Sequence, residues 1–168
     1  MSRILICWLG RADLRAATEQ NEVGIGPIAQ ALATGRFARV ELLCDYPPPA
    51  AEPYLDWLRA RTNAPIQPHP VTLPSPTDFE AIYRHARART DQILADGSIT
   101  PEHRTFPLSP GTPAMAAVWI ILAKTRVPAE LIESSIKHGV QTVSIPFQLS
   151  ADFLPDLLRR PDAELTRL

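Results

Sequence analysis

Thr105 to Thr125 read TFPLSPGTPAMAAVWIILAKT, and this stretch decides the fold. A short apolar run closes at Leu108, the tight turn Ser109-Pro110-Gly111-Thr112 follows, and a helix is predicted from Pro113. Gly111 permits the positive φ that such a turn needs. Thr112 can cap the first helical amides, and Pro113 suits the first helical position, where a missing N–H costs nothing. The following AMAAVWIILA is apolar almost all round, as expected of a helix packed hard against a sheet. Unpaired amides therefore converge beside the hydroxyls of Ser109 and Thr112. A helix start of this kind suits a phosphate or another anion, because its amides point outward and the peptide dipoles add partial positive charge. The same pattern also fits a plain capped core helix, since strand-turn-helix units recur in α/β folds.

Composition narrows the function classes. With 168 residues, 45% hydrophobic and 21% charged, the chain fits one globular domain with a proper core. A net charge of −1 and a pI near 6.4 argue against a duplex-binding surface built on bulk basicity, but a small basic pocket would leave no trace in these totals. Cys7 and Cys44 each end an apolar run and read as buried thiols of a reducing compartment. No metal-type spacing surrounds Cys or His, so neither a metal nor a cofactor is expected. Gly24-Ile25-Gly26-Pro27 lacks the G-x-G-x-x-G spacing, which discounts a nicotinamide site. No basic-then-apolar leader precedes the first strand and AMAAVWIILA is too short to span a bilayer, so a cytoplasmic protein without a membrane partner is expected.

Outward from the central stretch, RILICWL (3–9) meets Gly10 as a buried first strand. GRADLRAATEQNEVGIGP then reads as a long polar loop, in which Arg11, Asp13 and Arg15 stand just past the strand's carboxyl end, where open α/β sheets bind ligands. A helix is predicted from Pro27 to Thr34, a second strand from Arg39 to Cys44, and a helix from Pro53 to Thr62. Asp45 and Tyr46 close the second strand, placed either to hold a ribose hydroxyl and stack on a base or simply to form a turn. Ile66 to Leu73 carries prolines at 68 and 70 and reads as an edge strand. Thr77 and Glu80 read as a capping box opening a helix that Gly97 stops. Ala129–Ser135 and Val140–Pro146 flank Ile136-Lys137-His138-Gly139 as a hairpin. The tail holds a short amphipathic segment, FLPDLLRR.

Together these elements, with the SPGTPAM turn and the ELIESS…VSIPF hairpin, resemble the CRISPR-associated Rossmann fold (CARF) ligand-sensor domain. LSPGTPAMAAVWIILAKTR, ILICWLGRADLR and SSIKHGV more narrowly resemble the N-terminal sensor domain of sigma-54-dependent regulators of the RNA-repair operon. The resemblance covers residues 1–155, leaving 156–168 as a tail or linker. It implies an α/β fold, a Rossmann-like and mostly parallel mixed sheet with a terminal antiparallel hairpin and helices on both faces. It also implies a homodimer that binds a cyclic oligoadenylate, or RNA with a 2',3'-cyclic phosphate end, across a two-fold axis. In the sensor regulators an ATPase domain and a DNA-binding module follow. No G-x-x-x-x-G-K-[ST] occurs here, so a stand-alone or excised sensor is expected.

Carried over by motif, the implied ligand contacts are Leu9, Gly10, Arg11 and Asp13 after the first strand, and Ser109, Pro110, Gly111, Thr112 and Met115 at the central turn; Asp45 joins them from the residue reading. Where many such sensors place a cation beside the threonine, this sequence has Pro113, so phosphate charge falls to backbone amides and Arg11. Binding without chemistry is the leading expectation. The alternatives are a metal-independent ring nuclease using Ser109, Thr112 and Arg11, and an α/β interaction module without a small ligand.

Overall fold

The computed structural model describes residues 3–147; the segment FLPDLLRR and the boundary expected after residue 155 lie outside them. Strand β1 (Arg3–Trp8) leads through helices α1 (Arg11–Val23) and α2 (Gly26–Ala33) to strand β2 (Phe37–Cys44). Helix α3 (Pro48–Arg59), strand β3 (Ile66–Pro70) and helix α4 (Phe79–Ile93) follow. A 3-10 turn then precedes β4 (Arg104–Pro107), α5 (Pro113–Lys124), β5 (Glu130–Ser135) and β6 (Gly139–Thr142). The sheet order is β3-β2-β1-β4-β5-β6, with every neighbouring pair parallel except the antiparallel hairpin β5-β6. This is the mixed α/β sheet that the sequence implies.

Alternation along β1 builds two cores. Leu5, Cys7 and Leu9 pack with Ile28 and Leu32 of α2 and Tyr54 and Leu58 of α3, whereas Ile4, Ile6 and Trp8 pack with Ile82 and Ala86 of α4 and Val118 and Trp119 of α5. The chain first winds from β1 outward to β3, then returns to the other side of β1 for β4. Because parallel crossovers keep one hand, that reversal sends the later helices to the opposite face. It also opens a crevice between the carboxyl ends of β1 and β4, the place where open α/β sheets bind ligands.

Four segments differ from the sequence reading. The polar stretch after β1 is helix α1, not a loop. Its buried side is only Asp13 and Ala16, too thin a stripe to register as amphipathic, while good helix formers and an Arg15–Glu19 pair at 2.5 Å support the outer face. Helix α3 starts at Pro48 rather than Pro53, since a helix's first turn has no use for the N–H groups that proline lacks. The cap of α4 is Asp78, whose Oδ1 accepts from Ala81 N–H at 3.0 Å; Thr77 belongs instead to a turn with Ser75. The hairpin strand β6 stops at Thr142.

β3 is the edge strand its prolines predict. Val40 N–H donates to Pro65 O and Val71 N–H to Cys44 O, so residues 65, 67, 69 and 71 turn their backbone toward β2. Pro68 and Pro70 therefore occupy positions whose N–H would otherwise face outward.

Trp119 is fully buried and stacks on Phe106, with ring centroids 4.3 Å apart. Trp119→Ala should cost roughly 3–5 kcal/mol in urea-induced unfolding, because the cavity left under α5 cannot close around a stiff sheet.

Candidate functional site

A cavity of about 730 Å³ opens at the crevice between β1 and β4. Leu9 comes from the end of β1, Asp45, Tyr46 and Ala50 from the connection that follows β2 and the start of α3, and Pro76 from the loop before α4. One face of α1 supplies Arg11, Leu14, Arg15 and Thr18, and the α5 turn supplies Gly111, Thr112 and Met115. Apolar walls thus surround two guanidiniums and one carboxylate. Such a space takes a ligand with a flat apolar body, negative charge and at least one donor.

The turn before α5 folds as its residues dictate. Gly111 has φ +87°, and a Cβ there would stand 2.5 Å from Met115 Sδ. Thr112 is the cap: its Oγ1 accepts from Met115 N–H at 3.4 Å and donates to Pro76 O at 2.7 Å, fastening the loop before α4 to the turn. Thr112 N–H points at Met115 Sδ at 3.4 Å. Two of the amides that open α5 are thus already engaged and Pro113 has none, which shifts much of the charge recognition to side chains. Arg15 is paired with Glu19, whereas Arg11 makes no ion pair among the described residues. Asp45 uses Oδ1 to accept from Leu73 N–H at 2.8 Å, anchoring the segment after β3 and leaving Oδ2 for a donor. Burial pushes the Tyr46 phenol up, against the opposing pull of Arg11, so it stays a neutral donor.

Of the residues singled out in the sequence, Leu9, Arg11, Arg15, Asp45, Tyr46, Gly111, Thr112 and Met115 line this one space. Gly10, Asp13, Ser109 and Pro110 do not. Ser109 Oγ accepts from Ser134 N–H at 2.7 Å and ties the turn to β5. Pro110 is buried beneath the turn. Gly10 is buried against Gly111. Asp13 is fully buried, its two oxygens accepting from Gly10 N–H at 3.1 Å and Ile28 N–H at 3.0 Å. Leu14, Thr18, Ala50 and Pro76 are additional lining residues. The spacing of 11, 14, 15 and 18 is one helical face, visible in the sequence only once 11–23 is read as a helix. No histidine lines the cavity, and no group of three or more His, Cys, Asp or Glu gathers among the described residues. No helix among them is long and apolar enough to cross a membrane.

No protein-family model matches the chain, and no curated protein matches its sequence. Solved structures do match its shape. Enterococcus italicus Csm6 bound to cyclic hexa-2'-fluoro-hexa-dAMP is similar over 96% of this chain and 44% of its own, with a TM-score of 0.67 and 12% identity. Protein VC1899 from Vibrio cholerae is similar over 84% of this chain and 33% of its own, with a TM-score of 0.61 and 12% identity. Can2 from Sulfobacillus thermosulfidooxidans in complex with cyclic tetra-adenylate gives 87% and 38%, a TM-score of 0.54 and 16% identity. The chain spans less than half the length of each. At these identities the likeness is one of fold: the mixed α/β sheet of this chain resembles those of Csm6 and Can2, both solved with cyclic adenine oligonucleotides, and of VC1899.

Two predictions follow from the geometry. Thr112→Ala should lower stability by about 1 kcal/mol in thermal unfolding through the lost cap. Burial raises the Asp13 carboxyl from 3.8 to about 7, against the pull of its backbone hydrogen bonds. A group that holds its proton more tightly folded than unfolded stabilises fully below about pH 4 and loses that contribution as pH rises through about 7. Asp13→Asn should therefore flatten the fall in melting temperature across that window.

Proposed function

We propose that this chain is a ligand-sensor domain that binds an adenine nucleotide messenger, a cyclic oligoadenylate in the first place, and reports its presence to an effector. One observation carries the reading: Arg11, Asp45 and Tyr46, and the Gly111-Thr112 turn converge on a single apolar-walled cavity at the strand-order reversal. Each element matches a part of such a ligand. Arg11 meets phosphate, Tyr46 offers a flat surface to a base, and Asp45 Oδ2 accepts from a ribose hydroxyl or an exocyclic amine. The solved complexes of Csm6 and Can2 with cyclic adenine oligonucleotides support this ligand class.

The active unit is a homodimer, because a ring of repeated nucleotides presents the same chemistry twice and two identical turns can share it. The sequence resemblance to sensors of sigma-54-dependent regulators supports a transcription activator as the effector, with an RNA 2',3'-cyclic phosphate end as the competing ligand. Binding without cleavage is the better-supported mode. A ring nuclease built on Ser109, Thr112 and Arg11 would need Ser109 in the cavity, but its hydroxyl serves the β5 amide, and the Thr112 hydroxyl is committed to the cap and to Pro76.

Calorimetry with cyclic tetra-adenylate, cyclic hexa-adenylate and RNA bearing a 2',3'-cyclic phosphate tests the proposal, with chromatography of the recovered ligand. A cyclic oligoadenylate should bind and return intact; cleavage would favour the nuclease, and failure of all three would favour an interaction module. Arg11→Ala should weaken binding by about 2–3 kcal/mol, roughly 30- to 150-fold, and leave the melting temperature nearly unchanged. Sedimentation at micromolar concentration should give a dimer, and a strict monomer with full affinity would overturn the assembly.

A further inference from the structure

One carboxylate is buried behind the cavity and does not line it. Asp13 is fully buried, at the third position of α1, and each of its oxygens is taken by a different element: Oδ2 by the Gly10 amide ahead of α1 and Oδ1 by the Ile28 amide in the first turn of α2. Two bare glycines make room for it. A Cβ at Gly26 would stand 3.0 Å from Asp13 Oδ1, and a Cβ at Gly10 would stand 2.4 Å from the Gly111 nitrogen and 3.1 Å from Asp13 Oδ2. The turn after β1 is thus wedged between Asp13 on one side and Gly111 on the other.

We propose that Asp13 is the positioning residue of the cavity: by clamping Gly10 to α2 it seats the β1–α1 turn on Gly111, and so fixes Arg11 and the Gly111-Thr112 turn around one space. Its link to ligand affinity rests on the function proposed above; its link to Gly111 does not. A carboxylate suits the task because both of its oxygens accept. An asparagine offers one acceptor and turns an N–H on the second amide.

Protonation imposes a similar defect, since a hydrogen on one oxygen weakens its acceptance of the N–H aimed at it. Burial places this titration at about 7. The groups facing Asp13 stay neutral across that range: Cys7 from β1, Tyr46 after β2 and Tyr54 from α3 are all raised by burial. Helix α2 and the turn 109–112 contribute no titratable side chain, and Arg11 and Arg15 on α1 are exposed. Asp13 therefore titrates as a single site, and the seating of the turn follows pH.

Amide spectra of the ¹⁵N-labelled, ligand-free chain between about pH 5.5 and 8.5 test the clamp around that midpoint. Gly10 and Ile28 report the carboxyl directly. Gly111 makes no bond to Asp13 and moves only if the seating moves. The expected result is one shared midpoint for Gly10, Ile28 and Gly111, with Gly111 displaced and pH-independent in Asp13→Asn. A Gly111 amide that stays still in the wild type while Gly10 and Ile28 titrate overturns the proposal, as does a Gly111 amide unchanged by the substitution. If the variant does not fold, the wild-type titration decides. Affinity for cyclic tetra-adenylate should fall about tenfold below the midpoint and lose its pH dependence in Asp13→Asn, as one lost hydrogen bond implies. Tighter binding by Asp13→Asn would show that the carboxylate acts by repulsion and overturn the clamp. Absence of binding at every pH would overturn the ligand reading alone.

Discussion

The turn after β1 and the turn after β4 meet backbone to backbone, because neither Gly10 nor Gly111 brings a side chain to the contact. Strand order makes this meeting unavoidable: β1 and β4 are neighbours although most of the described chain lies between them or beyond them, and both run toward the same edge. Once the turns touch, the first residue of α1 and the cap of α5 are held side by side. Cavity walls from α1, the β2 end and the loop before α4 then gather around that contact. Thr112 extends the arrangement by bonding Pro76 O, and Asp45 does so by bonding Leu73 N–H, so the one connection between β3 and α4 is fastened at two points, to the α5 turn and to the end of β2.

Much of this was legible in the sequence where residue types have a single physical use. SPGTP before an all-apolar helix reads as a tight turn and a cap, and prolines at 68 and 70 point to a sheet edge, and both stand so in the structure. Helix α1 was not legible, because its inward face is an aspartate and an alanine, and an aspartate in a core is chemistry that periodicity of apolar residues does not register. That miss hid the shared face of Arg11, Leu14, Arg15 and Thr18. Ser109 could not be placed either: a serine in a turn beside a helix start can face a ligand or a neighbouring strand, and only the position of Ser134 on β5 settles which amide it serves.

Charge at the cavity is a local matter. The whole chain is nearly neutral, yet two guanidiniums face one carboxylate in a space walled by leucine, methionine and tyrosine. Low-dielectric walls strengthen each interaction and focus its field into the cleft. Under the proposed function, selectivity would come from matching a phosphate to Arg11 while keeping Asp45 opposite a donor. A ligand that presented only negative charge would meet that carboxylate unpaired.

The prolines of β3 also act outside the monomer. A sheet edge with a free row of amides can be lengthened by any extended chain that meets it, a copy of itself included. Pro68 and Pro70 remove two of the donors such a chain would need, so the β3 side of the sheet is closed to strand addition, and a crowded population of these molecules cannot grow by stacking sheets edge to edge through it.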